Sequence, residues 1–207
     1  MVDLKNELPA EIALCGRLLG ALLYYPPQDE RLAPMRDFFQ HTDWPAAWPF
    51  QQDQALLTET AALLAKDPQD ALDEQYQRLF IGPNALPAPP WGSVYLDKES
   101  VIFGDSLLEL RAFMRQHGIH FETALDEPED HIGLMLMLSA YLAENNPSLL
   151  PEFFSQHLLT WAPHQLSLLA AQQDCPFYAA LALLAKQALN EWQQAYRLEV
   201  PERTLYR

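Results

Sequence analysis

The chain has 207 residues, with 13 Lys and Arg against 28 Asp and Glu, a formal net charge of −15 and 49% hydrophobic residues. That length and apolar content supply a sizeable core and exclude a disordered or fibrous chain. The charge leaves no basic stripe to neutralise phosphates, which argues against nucleic acid and anionic membrane and favours a cationic partner, although an acidic surface also simply keeps a protein soluble and monomeric.

Cys15 and Cys175 are too few and too far apart for a disulfide framework or a four-ligand zinc site. Both are expected as small buried hydrophobes in a reducing compartment. The apolar stretch from Ile12 to Tyr25 follows Asp3, Glu7 and Glu11 and is interrupted by Arg17, unlike a secretory signal. No window reaches the roughly 18 to 20 apolar residues of a membrane span. A cytoplasmic location is therefore expected.

Leu and Ala dominate at helical period, and 17 Pro divide the chain into segments of helical length, which predicts an all-α fold. A first helix is expected from about Pro9 to Tyr25, where Gly16 and Gly20 lie one turn apart and permit close approach of another helix, and Pro26-Pro27 ends it. Helices follow at about Asp29 to Gln40, about Asp53 to Lys66 after a Trp-rich link at Trp44 to Pro49, and about Asp70 to Phe80 after Pro68. The segment Ile81 to Gly92 holds four prolines and two glycines in twelve positions and cannot be helix or central strand.

Ser93 to Phe103 is mixed, and Ser106-Leu107-Leu108-Glu109 fits a capping box opening a helix that runs to about His117 before Gly118. After a polar segment from Ile119 to Glu127, Pro128 suits a first helical position, with Glu129 and Asp130 in the first turn. The run Ile132 to Ala143 is apolar on nearly every side and belongs at the centre of a bundle. Helices at about Leu149 to His157, Thr160 to Gln172 and Pro176 to Tyr196 complete the chain. With no internal repeat or low-complexity linker, the expectation is one all-helical, bundle-like domain over 1–207 with roughly eight or nine helices.

The chain has no glycine-rich phosphate loop, GxSxG elbow, HExxH or paired-cysteine knuckle. Its titratable cluster is Asp126-Glu127-Pro128-Glu129-Asp130-His131. This could serve as an acid/base pair or a metal site, in which case a metal-dependent hydrolase centred on Glu127, Asp130 and His131 would follow. Its bland reading is carboxylates on a helix dipole, with Asp130 or Glu127 holding His131 by a hydrogen bond. A second constellation places Tyr76, Leu79 and Phe80 on one helix face just before the proline-rich segment. Core packing explains them, Leu79 most simply. The functional reading makes them the wall of a groove with Pro89-Pro90-Trp91 as its far lip, able to hold an apolar helix with basic residues meeting an acidic rim.

Three stretches in order, Tyr76 to Pro83, Pro89 to Ser100 and Glu127 to His131, resemble the TorD/DmsD family of redox-enzyme maturation chaperones, and Trp91 to Asp105 is most similar to its DmsD branch. The resemblance implies an all-α protein that is not an enzyme. It implies binding of the twin-arginine leader of a molybdopterin oxidoreductase catalytic subunit, of the dimethyl sulfoxide reductase type, with proofreading before Tat export. It places leader binding on Tyr76, Leu79, Phe80, Pro90, Trp91, Asp130 and His131, with no metal, cofactor or catalytic residue. Tyr76 stands where relatives have Trp, and Asn84 where a further aromatic is expected. Contact with Tat translocase components and exchange of helices in a dimer remain open beside a monomer, as does a structural subunit of a cytoplasmic assembly.

Overall fold

The computed structural model describes residues 4–66, 71–120 and 127–207. Eleven α-helices occur among them: α1 (Leu4–Tyr24), α2 (Ala33–Gln40), α3 (Trp44–Ala47), α4 (Gln54–Leu64), α5 (Leu72–Tyr76), α6 (Ser93–Leu96), α7 (Asp105–Gln116), α8 (Ile132–Asn145), α9 (Leu150–Phe153), α10 (Ala162–Ala170) and α11 (Pro176–Tyr196). The all-α expectation holds. The helix number exceeds the expected eight or nine because Trp44-Pro45-Ala46-Ala47 and Ser93-Val94-Tyr95-Leu96 each close a single turn where loop was expected.

The centre is α8, buried at most of its positions as its all-round apolar sequence requires. It runs antiparallel to α1 along a seam of small residues. A β-carbon on Gly16 would stand 2.5 Å from the Leu136 carbonyl oxygen, and one on Gly20 would stand 2.7 Å from that of Gly133. A β-carbon on Gly133 would meet Gly20 O at 2.7 Å. The two backbones touch because Gly20 faces Gly133 and Gly16 faces Leu136 and Ala140, as the Gly16/Gly20 spacing predicts. Helix α1 begins at Leu4 rather than at Pro9, and it ends at Tyr24 before the two prolines.

Against this pair α11 packs with α4 and α10. Trp48 of the Trp-rich link donates its indole N–H to Gln187 Oε1 at 2.9 Å, and Gln187 Nε2 donates to Phe50 O at 3.3 Å, so two buried polar side chains satisfy each other beneath the linker. Phe154 stacks on Trp192 with centroids 5.3 Å apart. Apolar contacts join residues from Ile12 to Trp192 in a continuous core. Cys15 and Cys175 are buried in it, and burial pushes the Cys15 thiol up to about 12. No helix among the described residues is long and apolar enough to cross a membrane.

Two local expectations change. Ser106 does not cap α7; the helix starts at Asp105, and Asp97 from the preceding loop accepts from Ser106 N at 3.2 Å and from Ser106 Oγ at 2.6 Å. The cap therefore comes from outside the local sequence. Pro128 is not a first helical residue, because α8 starts at Ile132 with His131 at its N-cap. Beyond α11, residues 198–207 return over the proline-rich segment: Tyr206 N donates to Tyr95 O at 2.9 Å, and Arg207 Nη2 donates to Leu86 O at 2.7 Å.

Candidate leader-binding site

After Tyr76 the helix widens into a π-helical turn, Gln77–Ile81, closed by the Gly82 N–H on Gln77 O at 2.8 Å. Gly82 then takes φ of +103°, which a residue with a β-carbon rarely adopts, and releases the chain into the proline-rich loop. Such widened turns frequently mark functional positions. The loop runs back to the start of α8, where Trp91 and His131 form an antiparallel bridge: Gly92 N donates to Asp130 O at 3.1 Å, and Ile132 N donates to Pro90 O at 2.7 Å.

This bridge brings the predicted residues together. Ring centroids run from Tyr76 to Phe80 at 5.2 Å, from Phe80 to His131 at 6.3 Å and from His131 to Trp91 at 6.2 Å. Tyr76 donates its hydroxyl to Tyr24 O at 2.7 Å. Leu79 is fully buried and offers no surface, in line with its packing role. Tyr76, Phe80, Pro90, Asp130 and His131 are also buried; Trp91 is half-buried, its indole N–H donating to Glu127 Oε2 at 2.9 Å. The aromatic residues thus close on one another instead of walling an open groove.

The open cleft lies on the other face of the π-turn. Its volume is about 730 Å³, and it is lined by Gln77, Gly82, Pro83, Asn84, Ala85 and Pro87, with Asp73, Glu74 and Arg78 at its sides. Sequence reasoning passed over these residues because it followed the buried Tyr76/Leu79/Phe80 stripe. The signal was the complementary exposed stripe, Asp73, Glu74 and Gln77, leading into Gly82-Pro83. Asn84, the departure from the family pattern, lies in this cleft.

The acidic cluster separates. Glu127 serves Trp91, Glu129 pairs with Arg111 at 2.7 Å, and Asp130 Oδ2 accepts from Ser93 N at 2.7 Å. Asp126 lies outside the described residues. Neither Asp130 nor Glu127 holds His131, whose Nδ1 instead accepts from Gly133 N at 3.1 Å and caps its own helix. Burial pushes the imidazole pKa down to about 3, so the ring is neutral at physiological pH. Burial pushes the Asp130 carboxyl up, opposed by the Ser93 N–H and side chain, and among the described residues its Oδ1 has no hydrogen-bond partner. Among the described residues no group of three or more His, Cys, Asp or Glu is placed to hold a metal. The hydrolase alternative therefore has no geometry behind it, since Glu127, Asp130 and His131 point to three separate partners.

The described residues form an all-helical fold, and among them one bridge joins a proline-rich loop to a buried Asp-His pair. The family model described as nitrate reductase delta subunit matches residues 46–167. The chain is 53% identical to a Haemophilus influenzae protein named as a probable Tat proofreading chaperone DmsD, over 99% of this chain and 100% of that one. It is 43% identical to the Tat proofreading chaperone DmsD of Salmonella typhi, over 95% of this chain and 96% of that one. A solved structure of a candidate redox enzyme maturation protein from Archaeoglobus fulgidus shares the fold, with a TM-score of 0.52 and 18% identity over 92% of this chain and 96% of that one. The chain belongs to the TorD/DmsD family of redox-enzyme maturation chaperones. Its relatives place it on the DmsD branch.

Proposed function

We propose that this chain acts, as one domain over 1–207, as a cytoplasmic maturation chaperone without enzymatic activity. It binds the twin-arginine leader of a molybdopterin oxidoreductase catalytic subunit of the dimethyl sulfoxide reductase type and delays Tat export until that subunit is folded. The reading is supported by the full-length likeness to chaperones of that name. The structural observation that carries it is the join of the proline loop to α8. There a buried carboxylate with an unpartnered oxygen, Asp130, lies one residue from the bridge that fixes the half-buried Trp91.

A twin-arginine leader has a basic start followed by an apolar stretch of about 7 to 15 residues. Its two halves need different surfaces. In this reading the apolar stretch follows the π-turn and the proline loop, in the cleft between Gln77 and Pro87 with Trp91 at its end, while the arginines meet carboxylates, Asp130 among them. Tyr76, Leu79, Phe80, Pro90 and His131 act from beneath: they fix the backbone that carries the surface residues, and a rigid loop loses little entropy on binding.

Calorimetric titration with a synthetic dimethyl sulfoxide reductase leader, beside one whose apolar stretch is broken by two Asp, tests the reading. Binding of the intact leader alone is expected, and Trp91→Ala should weaken it about tenfold, the loss typical of an aromatic anchor. Equal binding of both peptides would remove the apolar basis of the proposal. Absence of binding to either, in protein folded by circular dichroism, would refute leader recognition.

A further inference from the structure

Between α6, α7 and the start of α8 lies a second cavity, of about 240 Å³. It exceeds the space of a single water, about 30 Å³ of liquid volume. Asp130, Asp105, Glu109, His157, Trp161 and Arg203 line it. The Asp130 carboxylate, only 4% exposed, contributes the oxygen that lacks a partner. Asp105 and Glu109 stand one turn apart on α7. Against four carboxylates, Asp97, Asp105, Glu109 and Asp130, Arg203 is the cationic side chain among the described lining residues, and it pairs with Glu109 at 3.4 Å on the exposed rim. Burial pushes the His157 imidazole down to about 4, so it adds no positive charge at neutral pH. The cavity therefore holds more carboxylates than cations.

We propose that this cavity is a guanidinium subsite, which receives an arginine of the leader and whose rim is occupied in the free protein by Arg203 of the returning C-terminal segment. The inference rests on the leader-binding reading above. A guanidinium fits better than an ammonium, since its planar fork of five donors can serve Asp130 Oδ1 and an α7 carboxylate together, with Trp161 as an aromatic wall. The returning segment is held beside the cavity by Tyr206 N on Tyr95 O and by His164 Nε2 against Arg207 O at 3.0 Å, so Arg203 is kept near the site as an internal competitor. A leader arginine would displace it, and release of Arg203 would accompany capture of the client.

The test compares two leader peptides, one with both arginines and one with both replaced by Gln, on wild-type protein, on the double variant Asp105→Asn/Glu109→Gln and on Arg203→Ala. The double variant should reduce the affinity ratio between the two peptides about tenfold. Arg203→Ala should raise that ratio severalfold. If the wild-type protein binds the leader but neither variant moves the ratio, the subsite is refuted and leader recognition stands. Arginine amide alone, followed through the Trp161 indole resonance with lysine amide as control, separates the two readings. A Trp161 shift specific to arginine amide without leader binding keeps the subsite and refutes the leader. No shift and no leader binding refute both.

Discussion

The body of α8 and its start are built on opposite terms. Along its middle, from Gly133 to Ala140, the helix lies against α1 with backbones in contact. Its buried Ser139 hydroxyl is satisfied by Met135 O at 2.9 Å. At its start, Asp130 and His131 are as deeply buried, yet one is a carboxylate with an unpartnered oxygen and the other an imidazole that burial keeps neutral. The first arrangement stabilises. The second is an arrangement that often accompanies a task beyond the fold. In the proposed reading, leader recognition sits at the N-terminal end of the central helix and stability along the rest of it.

The comparison breaks most visibly at the seam. Gly20→Val places branched carbons against Gly133 O and the Met137 side chain, which a β-carbon alone would approach to 2.7 and 2.8 Å. Overpacking of this kind should remove about 3 kcal/mol, read from urea unfolding. Leader affinity of the folded fraction should be unchanged. A loss below about 1 kcal/mol would show that the two helices separate without penalty.

Next in size is the response to acid. His131 and His157 have folded pKa values of about 3 and about 4, below the ordinary 6.5 of the unfolded chain. Between those values the unfolded state binds more protons than the folded one, so stability rises with pH across that window. The urea midpoint should fall steadily from pH 7 to pH 4, and His157→Phe should flatten the slope. An unchanged slope in that variant would remove His157 from the account.

Asp130 carries the reverse sign. Its folded pKa is raised above the ordinary 3.8, so the carboxylate destabilises the fold increasingly as pH climbs through 3.8 and past the folded value. Asp130→Asn keeps an acceptor for Ser93 N and removes the charge. It should stabilise the protein by about 1 kcal/mol at pH 7, a gain absent below pH 3.8. Smallest is Arg78→Ala on the π-turn. Its ion pair with Asp174 is exposed on both sides and should contribute less than about 1 kcal/mol. A larger loss would make the turn, rather than the seam, the anchor of the fold.

The same contrast explains what the sequence disclosed. The seam was legible because both of its signals are local: Gly16 and Gly20 repeat at one turn, and Ile132 to Ala143 is apolar all round. The site residues could be named from motifs, but their arrangement could not be deduced. Asp130 finds its partner at Ser93, and Asp97 caps a helix nine residues on, pairings that no periodicity encodes. His131 caps its own helix two residues ahead, which moved the start of α8 past Pro128. The π-turn is one residue wider per hydrogen bond than an α-helix, and nothing in Gln77-Arg78-Leu79-Phe80-Ile81 announces it. Residues 198–207 follow no helical or strand period, so their return over the proline loop was invisible.

The central claim, that the start of α8 sacrifices stability for leader recognition, is tested most directly by calorimetric titration of the leader peptide into Asp130→Asn beside wild type at pH 7, with the unfolding midpoint of each sample measured in parallel. The account predicts a more stable variant that binds the leader about tenfold more weakly. Unchanged affinity in the more stable variant, or a loss of stability and affinity together, would contradict it.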